Sequence, residues 1–125
     1  MKIANLMFSK NLGGIEQAFI DYTKALVIEG NEVLCITQKN AKINAVVAKL
    51  LSEEKYKNSI TNKKISNFGK WDFIAKIRIY FAIKKFQAQI IIAQGNRPTQ
   101  LARCAANLCK AKLVSVAHNY KIKPL

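Results

Sequence analysis

The sequence predicts an α/β domain: an open parallel sheet of about five strands, order 3-2-1-4-5, with helices on both faces, Rossmann-like. Three observations carry this. Five short strand-like runs alternate with four helix-period segments along the whole chain. The first strand is nearly all apolar, Ile3-Ala4-Asn5-Leu6-Met7-Phe8, as a strand covered on both faces should be. Right-handed crossovers then leave few ways to order parallel strands.

Residues 2–8 form the first strand and 15–29 the first helix, with Gly13 and Gly14 in the turn between them. The helix shows one apolar stripe of Ile15, Ala18, Phe19, Tyr22, Ala25 and Leu26 at three- and four-residue steps. Gly30 ends it in the usual glycine position after a helix. Residues 32–37 are the second strand. A second helix spans 41–54, burying Ile43, Val46, Val47, Leu50 and Leu51. A weak third strand covers 58–65 and a turn 67–70. Asp72 is placed to N-cap a helix running to about 87. Residues 89–93, with three consecutive isoleucines, are the fourth strand, and 94–97 a polar loop. Pro98 suits the first turn of a helix reaching about 110, because its missing N–H does no harm there. Residues 112–117 are the last strand, with His118 at its end. In such a sheet ligands bind beyond the carboxyl ends of the strands, where the strand order reverses. Loops 9–14 and 94–98 and the His118 tail are expected to converge there.

Composition narrows the function classes. At 125 residues the chain has the size of one domain, and with half its residues hydrophobic it is not globally disordered. No apolar run approaches the ~18 residues of a membrane span. The start leads straight into a strand without the features of a signal peptide, so a cytoplasmic location is expected. Cys35, Cys104 and Cys109 have no metal-ligand spacing and read as free thiols in a reducing compartment; no metal site is expected. The net charge is +14, and all seven acids lie at or before Asp72. From Phe73 onward there are ten Lys or Arg and no acid. Such a field favours a polyanionic partner, whether nucleic acid, an anionic membrane face or a phosphorylated substrate, unless the lysines only solubilise the fold.

The blocks Gly13-Gly14-Ile15-Glu16 and Glu29-Gly30-Asn31-Glu32-Val33-Leu34-Cys35-Ile36-Thr37 resemble the N-terminal domain of family-4 glycosyltransferases of GT-B fold. The family pattern is roughly G-G-x-E, a helix, then G-H-E-V-x-V-x-T; Asn31 stands where the family has His. Gln89-Ile90-Ile91-Ile92-Ala93-Gln94 is similar to the family's D-I-I-x-A-H strand, with Gln89 and Gln94 in place of its Asp and His. Leu113-Val114-Ser115-Val116-Ala117-His118 resembles its last matched strand, which carries a His at its end.

The resemblance spans nearly the whole chain. It implies a single Rossmann-like domain over 1–125, equivalent to the acceptor-side half of a retaining glycosyltransferase. The nucleotide-sugar-binding C-terminal domain, with its E-x7-E glutamates, is expected to be absent from this chain. The implied reaction moves a sugar from a nucleotide-sugar to a lipid-linked or cell-envelope glycan such as a lipopolysaccharide core. The chain alone would then be inactive. The donor would be the complete enzyme's ligand, with no cofactor in this chain, and a donor-binding domain, in some cases a separate chain, would be its partner. By resemblance Gly13 and Gly14 face the donor phosphates and acceptor, and His118 lies near the transferred sugar. Read as residues alone, the glycines equally make a plain tight turn, Glu16 supports its helix N-terminus, and His118 is a histidine at a strand end.

Asn96 and Arg97 sit in the second cleft loop, where the Arg97 fork suits an acceptor phosphate or carboxylate; the plain alternative is a solvated arginine. The segment 70–87 combines Trp71, Phe73, Ile74, Ile77, Tyr80, Phe81 and Ile83 with Lys76, Arg78, Lys84 and Lys85. A basic, aromatic-bearing helix can lie in an anionic membrane interface, and the resemblance points the same way, to peripheral attachment at the inner membrane face through Trp71 and the four cations. The alternative is a core helix that packs most of its apolar residues and solvates its basic face.

Three other readings compete. A nucleic-acid-binding protein accounts for the charge, but zinc-finger spacing, RNP-like aromatics and a helix-turn-helix are lacking, so specific nucleic-acid binding is not expected. A dinucleotide-binding domain lacks G-x-G-x-x-G and an acid after the second strand, where Lys39 stands instead. A non-functional gene remnant is the last alternative.

Overall fold

The computed structural model describes residues 1–8, 14–65 and 72–116. Five strands, β1 (Lys2–Met7), β2 (Glu32–Gln38), β3 (Ile60–Ile65), β4 (Ile90–Gln94) and β5 (Lys112–Val116), form one sheet of order β3-β2-β1-β4-β5. Every pairing is parallel, as the alternation predicts. The helices are α1 (Gly14–Ile28), α2 (Ile43–Leu51), α3 (Glu54–Lys57), α4 (Asp72–Phe86) and α5 (Asn96–Cys109).

The pleat sends alternate residues to two cores. On one face Phe19 and Ile20 of α1, Val47 and Leu50 of α2, and Tyr56 of α3 close over Met7, Val33, Cys35 and Ile60. On the other, Ala75, Ile79 and Ile83 of α4 and Leu101, Ala102, Ala105 and Ala106 of α5 close over Ala4, Leu6, Leu34, Ile36 and Ile91. Helices therefore cover both faces, and the central strands are buried almost throughout.

Local chemistry sets the boundaries. After α1, Gly30 at φ +94° closes a Schellman motif: Gly30 N–H bonds Val27 O and Asn31 N–H bonds Leu26 O, both at 3.0 Å. A Cβ there would meet nothing within 4 Å, so the backbone angle is what selects glycine.

Four expectations need correction. The helix expected over 41–54 breaks at Ser52, whose hydroxyl bonds Lys49 O at 2.6 Å, and a separate turn of helix follows. Asp72 is the first helical residue of α4 instead of its cap. The buried face of α1 carries Phe19, Ile20 and Thr23, while Tyr22 is 40% exposed and Ala25 is exposed. Thr23 turns inward because a polar group waits for it on β1, described below. Lastly, the loop expected over 94–97 does not exist as a loop: Gln94 ends β4, Gly95 alone makes the turn, and Asn96 and Arg97 belong to α5.

Candidate functional site

The order reverses between β1 and β4. From β1 the chain returns on the α1 side; from β4 it returns on the α5 side. Two helices thus diverge from neighbouring strand tips, and in sheets of this order the ligand crevice lies between such helices.

On the β1 side, α1 begins at Gly14, and Glu16 in its first turn is buried at 5% exposure. A carboxylate in that position complements the positive end of the helix dipole.

On the β4 side the turn is as short as a turn can be. Gly95 lies at φ +104°, ψ 179°, a region essentially reserved for glycine. An added Cβ would reach Pro98 Cδ only at 4.0 Å, so conformation, not crowding, excludes a side chain. The turn is held from three directions. Gly95 N–H donates to Val116 O at 2.9 Å. Thr99 Oγ1 donates to Gly95 O at 2.7 Å, and lies 2.7 Å from Ser115 Oγ on β5. The first turn of α5 carries no acid, and the helix dipole makes this end of α5 positive.

Beneath the crevice a polar chain crosses the core. Gln94 Nε2 donates to Asn5 Oδ1 at 3.1 Å. Asn5 Nδ2 donates to Thr23 Oγ1 at 3.0 Å and to Phe19 O at 3.2 Å. Thr23 Oγ1 in turn donates to Phe19 O at 2.9 Å and lies 3.6 Å from Cys35 Sγ. Asn5 and Thr23 are fully buried and Gln94 nearly so. The network pins α1 to β1 and ties the tip of β4 to β1, while α5 is held separately by Thr99 through Gly95 O and Ser115. Burial pushes the Cys35 thiol up to about 12, against a smaller lowering by Thr23, so it is neutral and no nucleophile at neutral pH.

The site residues expected from sequence fall into two groups. Gly14 opens α1 and Asn96 and Arg97 open α5, at the same end of the sheet, with Arg97 exposed. Gly13, His118 and Trp71 lie outside the described residues. Lys76, Arg78, Lys84 and Lys85 are exposed along α4.

Sequence reasoning missed Asn5 and Gln94 as a buried polar pair beneath the strand tips. An amide in the middle of an apolar strand was the available signal. It also missed that α4 has two apolar faces. Ala75, Ile79 and Ile83 are buried, yet Phe73, Ile77 and Phe81 are 55%, 50% and 59% exposed at four-residue steps. The core-helix alternative therefore holds for only one row of α4. Among the described residues no group of His, Cys, Asp or Glu is placed to hold a metal ion, and no helix is long and apolar enough to cross a membrane.

No protein-family model and no curated protein matches the chain. Solved structures of GT-B glycosyltransferases do. A glycosyltransferase from Rickettsia africae ESF-5 aligns with TM-score 0.70 at 21% identity, over 91% of this chain and 28% of its own. MurG of Acinetobacter baumannii aligns with TM-score 0.68 at 15% identity, over 92% of this chain and 34% of its own. Anabaena HepE, solved with UDP and glucose, aligns with TM-score 0.63 at 19% identity, over 92% and 29%. At these identities the likeness is one of fold. The chain spans roughly a third of the length of these proteins or less.

Proposed function

We propose that this domain is the acceptor-binding half of a retaining glycosyltransferase. The observation that carries the reading is the reversal of strand order at the β1 and β4 tips, where α1 and α5 begin, in a fold shared with three glycosyltransferases. The acceptor is a lipid-linked or cell-envelope glycan. Its phosphate or carboxylate lies against the N–H groups of α5 with Asn96 and Arg97, while Gly13 and Gly14 bring backbone N–H groups to the donor phosphates. His118 stands near the transferred sugar. A second domain, in the same or a separate chain, holds the nucleotide-sugar across the crevice.

The outward row Phe73, Ile77 and Phe81, flanked by Lys76, Arg78, Lys84 and Lys85, rests on the cytoplasmic face of an anionic membrane. Exposed aromatics supply insertion and the cations supply attraction to lipid headgroups. Bound there, the domain would meet a lipid-linked acceptor at the surface that presents it.

The test is an assay of the chain with nucleotide-sugars and a short-chain prenyl-diphosphate saccharide. Acceptor binding without turnover is expected. Robust transfer by the chain alone, or no affinity for any such acceptor, would contradict the reading.

A further inference from the structure

The two edges of the sheet are built differently. β3 ends it on one side and β5 on the other. β3 carries Lys63 and Lys64, which the pleat sends to opposite faces and which are both exposed. Lysines so placed guard an edge against pairing with another strand. β5 reads Lys112-Leu113-Val114-Ser115-Val116, so its only charge stands at its first residue. No residue of β5 is buried, and Val114 is 38% exposed.

This unguarded edge adjoins an open face. Asn5 turns its side chain to Thr23 of α1, and the register sets Ile92 beside Asn5 and Val114 beside Ile92. Ile90, Ile92, Val114 and Val116 therefore face the α1 side. They belong to neither core, because the core on that side takes its strand residues from β1, β2 and β3 alone. Parallel sheets are normally covered on both faces, and among the described residues no core closes over this end of the α1 side. The backbone is open as well. Lys112 N–H donates to Gln89 O at 3.0 Å and Gly95 N–H to Val116 O at 2.9 Å, so residues 112, 114 and 116 bond β4. Leu113 and Ser115 turn their N–H and C=O groups to the outer side, where no described strand meets them.

We infer that β5 pairs with β5 of a second copy of this chain, antiparallel about a two-fold axis at Val114. The strand is its own complement in that register. Leu113 of each copy faces Ser115 of the other, and both turn their backbone groups that way, so each such pair exchanges two hydrogen bonds. Val114 meets Val114 at the close position between them. Lys112 faces Val116, so no like charges stand opposite each other. The two open faces join into one apolar surface on the α1 side, which lies apart from the outward row of α4. The pairing does not depend on the acceptor reading.

The experiment is sedimentation equilibrium of the full chain at several salt concentrations. A dimer is expected at about 100 µM protein. Each copy carries a net charge of +14, so added salt should strengthen the association by screening the repulsion. Val114→Lys sets like charges opposite each other and should weaken the dimer by about tenfold or more, whereas Thr61→Lys on β3 should not. Both positions are exposed, so circular dichroism should show the fold retained. Val114→Cys should give more disulfide-linked dimer under mild oxidation than the parent chain with its exposed Cys104. A monomer at every concentration, an undiminished Val114→Lys dimer, equal weakening by Thr61→Lys, or no excess of linked dimer would overturn the proposal. So would association that falls as salt rises, because a polyanion would then be bridging the copies.

Discussion

The helices α1 and α4 are each 15 residues long and pack on opposite faces of the same sheet, yet they treat their apolar residues differently. α1 turns one face inward and fixes its rotation with polar bonds from Asn5 to Thr23 and Phe19 O. α4 buries Ala75, Ile79 and Ile83 and sends Phe73, Ile77 and Phe81 out to solvent. The first helix is specified by what lies beneath it. Only half of the second is, and folding alone does not account for its outward row. Large exposed apolar rows rimmed by charge mark places where something docks.

The largest effect that would break this comparison comes from two isoleucines of α4, Ile79 and Ile77. Ile79→Ala should cost about 2–5 kcal/mol in denaturant unfolding, because it opens a cavity in a closed core. If Ile77→Ala cost the same, the two rows would not differ in role.

Next is the pinning of α1. Asn5→Ala strips partners from Gln94 and Thr23 and should cost about 1–3 kcal/mol. A double-mutant cycle with Thr23→Ala should show coupling, and strict additivity would mean the pair does not act as a unit.

Burial of Cys35 beside this network sets a pH dependence, which the Thr23 contact opposes. The Cys35 pKa is about 12 in the folded chain against an ordinary value of 9.0. Below pH 9 both states keep the proton and the contribution is complete. Between pH 9 and 12 the unfolded chain gives it up first, so stability falls as pH rises, by up to about 1.4 kcal/mol per pH unit. Cys35→Ala should remove that slope relative to the parent. Identical alkaline curves for the two proteins would contradict the buried, neutral thiol.

The smallest effect on stability should come from the outward row. Ile77→Ala and Phe81→Ala should each change it by less than about 0.5 kcal/mol. Together they should lower co-sedimentation with anionic vesicles by about tenfold. Undiminished vesicle binding would leave the row without its proposed role.

The strand order and both helical layers were legible because apolar runs and helical periods alternate cleanly, and crossover handedness supplies the topology. The rotation of α1 was not, because apolar spacing ranks Tyr22 above Thr23 and cannot see Asn5 across the core. The β4–α5 turn was misjudged for a related reason. Gln94, Asn96 and Arg97 are polar and read as loop, although Gly95 by itself completes the reversal and Gln94 finds its partner inside. The two apolar rows of α4 lie at helical spacing in the sequence, but periodicity does not say which row meets the sheet.

The central claim is that an acceptor occupies the crevice at the β1 and β4 tips. Backbone amide shifts of the full chain, followed by NMR during titration with a soluble prenyl-diphosphate saccharide, test it most directly. The account predicts that perturbations gather at Gly14, Gly95, Asn96, Arg97 and Val116, where the walls of the crevice begin. Shifts confined to the opposite end of the sheet, around Gly30, Gln87 and Lys110, would contradict it.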